Sequence, residues 1–120
     1  MTQWDGLGGL VRDDHDLWTM AQRQFEDRDP AGAARTLRSM PAVSEGTAPL
    51  AVRLLLARAL FASAQLHRAE TELRRVVAEH PTEAYAHLLL GRTRQRLSRP
   101  EEAATSLRLA EVLEPGITGS

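Results

Sequence analysis

The residues with the most chemical potential lie near the start of the chain. Asp13, Asp14, His15 and Asp16 form a run of metal-ligand types. Successive side chains at a helix start point in different directions, so the run makes a poor chelate, and carboxylates in a first turn already complement the helix dipole. We expect no bound metal and no cofactor. Glu101 and Glu102 look like an acid pair, but neighbours on a helix diverge, and we expect no catalytic pair and no enzyme. Gly6, Gly8 and Gly9 match neither nucleotide-binding pattern, because no strand precedes them and no lysine–serine follows. His80, before Pro81, is expected to cap a helix end, and His87 to be wedged between helices. With no cysteine among 120 residues, disulfides, thiolate zinc sites and cysteine nucleophiles are excluded.

The charge pattern is equally plain. All fifteen basic residues are arginine, against sixteen acidic residues, for a net charge of −1. The absence of lysine reads first as codon bias of a GC-rich, bacterial genome, with a demand for guanidinium groups as the sharper alternative. Residues 1–49 hold five basic and eight acidic side chains, and the remainder ten and eight. This asymmetry is too mild for a nucleic-acid footprint. The longest apolar runs, such as Leu54–Ala57, are far too short to span a bilayer. The first residues lack a basic segment followed by an apolar one, so a cytoplasmic location is expected, with no nucleic-acid or membrane partner.

These side chains are carried by helix-forming stretches. Apolar residues recur at i, i+4 and i+7 in Ala33–Leu37–Met40, Ala69–Leu73–Val76 and Ala103–Leu107–Ala110. Asp29-Pro30 and Ser98-Arg99-Pro100-Glu101-Glu102 look like helix starts. The pattern predicts an all-α chain with helices at about 14–27, 30–40, 48–63, 66–79, 82–97 and 100–114, and an irregular segment from Pro41 to Pro49.

Shifting the chain against itself gives the strongest signal. A 34-residue offset relates Pro81 to Pro115, Ala69 to Ala103, Leu73 to Leu107, Val76 to Ala110 and Ala57 to Gly91. An offset of 36 relates Ala21 to Ala57, Phe25 to Phe61, Ala33 to Ala69, Leu37 to Leu73 and Met40 to Val76. The two extra residues fall in the Pro41–Pro49 linker, where insertion is cheap. A helix–turn–helix unit of this period resembles the tetratricopeptide repeat family. Gly91, Ala103, Ala110 and Pro115 carry the match best. His87 and Arg94 depart from it, standing at the usual tryptophan and tyrosine positions, and the first copy lacks the closing proline.

The resemblance implies a short right-handed superhelical array of three tandem repeats, at about 14–47, 50–83 and 84–115. They are flanked by residues 1–13 and a tail, 116–120. Trp4, Leu7, Leu10 and Val11 of the N-terminal flank either cap the first repeat or dock elsewhere. No hairpin of such an array buries its own apolar face, so about three repeats are the minimum.

It also implies a concave groove lined by first helices. The candidates are His15, Trp18, Gln22, Phe25 and Glu26; then Ala51, Leu54, Arg58, Phe61 and Ala62; then Tyr85, Leu88, Arg92, Gln95 and Arg96. An apolar strip of Trp18, Leu54 and Leu88 flanked by Arg58, Arg92 and Arg96 would suit an extended peptide with an apolar residue and a carboxylate. The alternative is that Trp18, Phe25 and Phe61 are core and the arginines solvated. Trp18, Gln22, Leu55, Tyr85 and Leu89 do not supply the lysine, asparagine and arginine set of the family's chaperone-tail clamp, so that ligand class is rejected.

The expected function is a protein–protein interaction adaptor or scaffold that binds a peptide or partner protein. The alternative is a structural subunit of a homo-oligomer or larger assembly. The last helix bears on the choice. Leu109, Val112 and Leu113 stand where the middle copy has Arg75, Ala78 and Glu79. Too few residues follow to make another helix. Each such side chain left in water forgoes roughly 1.5–3 kcal/mol. The stripe is expected to be covered by a second copy, as in a homodimer, or by another protein. The bland outcomes are that Ile117 and the tail fold back over it, or that it stays bare.

Overall fold

Prolines set several helix starts, because the ring fixes φ near the helical value and the first-turn N–H would lack a partner anyway. In the computed structural model, which describes residues 12–119, the helices are α1 (Arg12–Glu26), α2 (Pro30–Arg38), α3 (Pro41–Ser44), α4 (Leu50–Ala62), α5 (Leu66–Glu79), α6 (Ala84–Arg96) and α7 (Pro100–Leu113). The described residues contain no strand. Trp4, Leu7, Leu10 and Val11 lie outside them.

Three differences from the sequence reading have local causes. The linker is not wholly irregular, since it contains the single turn α3. Met40 is extended (φ −69°, ψ 130°), as the residue before a proline prefers. That conformation ends α2 at Arg38 rather than residue 40, and Pro41 restarts the helix. α4 starts at Leu50, after the extended Pro49. At the start of α7, Arg99 is the capping residue and its side chain makes no cap hydrogen bond. The side-chain cap of α2, where the Asp29 carboxylate accepts from Gly32 N at 2.9 Å, is therefore missing from α7, whereas Pro100 in its first turn with Glu101 and Glu102 follows the sequence reading.

The chain divides into two compact units, Met1–Ser63 and Ala64–Ser120. In the first, α2 packs against both α1 and α4, and α3 lies beside α2. The Thr36 hydroxyl of α2 donates to Gln24 Oε1 of α1 at 2.7 Å. Asp14, 2% exposed, turns inward, and its carboxylate accepts from Ala42 N of α3 at 3.4 Å. In the second unit, α6 packs against α5 and α7.

The repeat register is visible in burial. Ala33, Ala69 and Ala103 are buried, as are Met40, Val76 and Ala110. The third set, Leu37, Leu73 and Leu107, is buried only in the first two copies; Leu107 is half-buried. Gly91 marks the crossing of α6 and α7. A Cβ there would lie 2.6 Å from Leu107 Cδ2 and 3.3 Å from the Ala103 carbonyl oxygen, so only glycine lets the helices approach this closely.

The turns repeat as well. Arg28, Ala64 and Ser98 occupy equivalent places after α1, α4 and α6, with φ of 63°, 61° and 62°. After α1, Asp29 N donates to Gln24 O; after α6, Arg99 N donates to Arg94 O, both at 2.9 Å. These are six-to-one closures that satisfy orphan carbonyls at a helix end.

Candidate functional site

On α1 and α4 the expected groove residues separate by burial. Trp18, expected as an apolar anchor, is only 8% exposed, and its ring belongs to the interior of the first unit. Phe25, Leu54 and Phe61 are half-buried, while Gln22 and Arg58 are exposed. The structure brings two of these together: the Arg58 guanidinium carbon lies 4.7 Å from the centroid of the Phe25 ring. A guanidinium over a ring face is held there by a cation–π attraction, and a guanidinium's fork of N–H donors matches a carboxylate.

The second unit carries Tyr85 and Leu88, half-buried, and Arg92, Gln95 and Arg96, exposed, along α6. Arg92 and Arg96 are one turn apart and share a face. Arg92 also reaches the segment after α7, its Nη2 lying 3.5 Å from the Thr118 carbonyl oxygen. With Gln95, Leu107, Arg108, Glu111 and Thr118 it lines an open pocket of about 560 Å³. On α7, Leu109, Val112 and Leu113 are 46%, 78% and 38% exposed. The following segment does fold back, but toward Glu111, and leaves this stripe bare.

Sequence spacing missed the strongest electrostatic feature. Glu70 and Arg74 suggest an i,i+4 pair on a solvated face, yet Glu70 is only 8% exposed. Its carboxylate accepts from Arg94 Nε at 3.1 Å and from Arg99 Nη1 at 2.7 and 2.9 Å. Arg94 also donates to Ser106 Oγ at 3.0 Å. Glu102 stands 3.7 Å from Arg94 and 3.8 Å from Arg99. Burial acts to raise the pKa of Glu70, but hydrogen bonds and positive charge from the two arginines outweigh it and hold the carboxyl below its ordinary value. The available signal was Arg94, a charge where the repeat pattern expects tyrosine.

The histidines have structural surroundings. His87, 7% exposed, donates from Nε2 to the Pro81 carbonyl at 2.9 Å, which ties α6 to the turn before it. His80 caps α5, its N–H donating to Val76 O at 2.7 Å. His15 Nδ1 is 4.0 Å from Asp16. Among the described residues no group of three or more acidic or histidine side chains could hold a metal ion, and Asp14 is committed to α3.

Paired helices with a common turn, small residues at a close crossing and a shared burial register define a repeated helical hairpin. A family model of the tetratricopeptide repeat matches residues 24–93. The chain belongs to the tetratricopeptide repeat family. The match runs from the end of α1 into α6, and so covers more than half of the chain. Comparison with curated proteins finds no match. Tetratricopeptide repeats in general mediate protein–protein interactions and are non-enzymatic scaffolds. None of the described helices is long and apolar enough to cross a membrane.

Proposed function

We propose that this tetratricopeptide repeat protein is an adaptor that acts by binding a peptide or protein partner rather than by catalysis. Its contacts lie on first-helix faces: Phe25, Leu54 and Arg58 in one unit, and Tyr85, Leu88, Arg92 and Arg96 in the other. The observation that carries this reading is Arg58 over Phe25. An exposed guanidinium fixed on an aromatic ring is preorganised for a carboxylate beside an apolar side chain, so less entropy is lost on binding. Peptides selected from a random library should therefore be enriched in Asp or Glu next to an apolar residue. Arg58→Ala, and Arg92→Ala with Arg96→Ala, should each weaken them several-fold at low salt and by less at high salt, as exposed charge contacts of about 0.2–1 kcal/mol do. Unchanged affinity at every ionic strength would move the site elsewhere.

The exposed Leu109, Val112 and Leu113 favour a second reading, association of two copies through α7. Leu109→Glu with Val112→Glu should then lower the particle mass seen by light scattering. A monomeric wild type contradicts it.

A further inference from the structure

Arg92 lies 34 residues after Arg58 and so takes the same place in its repeat. Both side chains are exposed, and a loose arginine loses rotamer freedom when it binds. Arg58 is held over the Phe25 ring. Arg92 has a different support. Its Nη2 donates to the Thr118 carbonyl at 3.5 Å, a long contact that joins α6 to the segment after α7.

That carbonyl is itself fixed in place. After α7 the backbone turns at Gly116 (φ +92°) and again at Gly119 (φ +85°). Ile117 N donates to Glu114 O at 3.1 Å and Gly119 N to Gly116 O at 3.0 Å, which closes the turn. Glu111 fastens the turn to α7. Its Oε2 accepts from Gly116 N, and its Oε1 accepts from the Thr118 hydroxyl at 2.7 Å and from Thr118 N at 3.4 Å. The Thr118 hydroxyl first, and the Gly116 N–H second, hold the Glu111 carboxyl below its ordinary value, so it stays an anionic acceptor. Thr118 and Glu111 line the same open pocket as Arg92. The closed turn is thus a wall of that pocket, with one carbonyl on the guanidinium.

We propose that Glu111 is a positioning residue for Arg92. By closing the turn it holds the Thr118 carbonyl where that group steadies the guanidinium for a carboxylate of the bound peptide. The inference rests on the first-helix reading above and names what preorganises its second arginine. The contact occupies one donor of the guanidinium fork and leaves the fork's match to a carboxylate. Arg58 and Arg92, equivalent in the repeat, are then restrained by unlike means, an aromatic ring in one unit and a main-chain carbonyl in the other.

The test uses the full chain and a fluorescent acidic–apolar peptide from the library selection above. Gly116→Val puts a β-branched residue where φ is +92°, which opens the turn and leaves every charge in place. Fluorescence anisotropy at low salt should show this variant binding the peptide about threefold more weakly than wild type, the scale of one hydrogen bond. In an Arg92→Ala background the same substitution should change nothing. If Gly116→Val binds as wild type while Arg92→Ala binds more weakly, the positioning role falls and the first-helix reading stands. If Arg92→Ala itself binds as wild type, that reading falls at α6 and takes this proposal with it. An equal loss from Gly116→Val with and without Arg92 would also overturn the proposal. A check that needs no peptide is the steady-state nuclear Overhauser effect of Arg92 Nε, which reports fast motion of the side chain. It should fall in Gly116→Val and in Glu111→Ala. An unchanged value in both would overturn the proposal whatever the peptide does.

Discussion

Replacing Glu70 by glutamine should cost the fold about 2 kcal/mol at neutral pH. The figure follows from the contacts. Two guanidinium partners donate to this nearly buried carboxylate, Arg94 at 3.1 Å and Arg99 at 2.7 and 2.9 Å. Charge-assisted bonds contribute roughly 1.5–3 kcal/mol each. Glutamine keeps one neutral acceptor, and both arginines retain Glu102 within 4 Å, so the loss is well below the sum of the two. Urea denaturation at pH 7 should show the midpoint of Glu70→Gln moved to lower urea with an unchanged slope. The pH dependence carries the sharper check. The folded-state pKa of Glu70 lies below its ordinary value of 4.5. Its stabilisation is therefore complete above the ordinary glutamate range, and is lost as pH falls through the lowered folded value. The gap between wild type and Glu70→Gln should close on acidification, whereas the contribution of Glu111, common to both proteins, cancels. A gap absent at pH 7, or one that persists undiminished in acid, would refute the electrostatic account of this cluster.

Further outcomes follow from the backbone and the crossings. Ser98→Gly should raise stability by about 0.5–1 kcal/mol. It relieves a left-handed residue, worth about 1–2 kcal/mol, against a glycine entropy cost of about 0.5–1; a lower thermal midpoint would show that φ of 62° is not strained there. Gly91→Val should destabilise by about 1–3 kcal/mol, because its side chain must fit where Leu107 and the Ala103 carbonyl already lie. An unchanged melting curve by circular dichroism would mean that α6 and α7 are not in close contact. Asp29→Ala should cost about 1 kcal/mol in the same assay, through loss of the Gly32 N–H cap, and a neutral effect would remove that role.

Much of the fold was legible because repetition forces it into the sequence. Close helix crossings demand small side chains, so Ala33, Ala69 and Ala103 recur at fixed offsets and are all buried. The common turn was not legible, because Arg28, Ala64 and Ser98 share a backbone conformation and no chemical type. The ion cluster escaped for a related reason. Spacing along one helix finds neighbours on that helix, whereas Glu70 pairs with residues 24 and 29 positions away. Trp18 shows the limit of carrying over a groove from a helix face. The large ring nearest that face is buried, and the exposed cation beside an aromatic is Arg58 over Phe25. The stripe on α7 was legible because it breaks the pattern of the middle copy.

The interaction role is tested most directly by titrating a selected acidic–apolar peptide into isotopically labelled protein and following backbone amide shifts. The account predicts saturable changes concentrated on first helices, around Phe25, Leu54 and Arg58 and around Leu88, Arg92 and Arg96. Changes confined to α2, α5 and α7, or none with a peptide that binds, would contradict it.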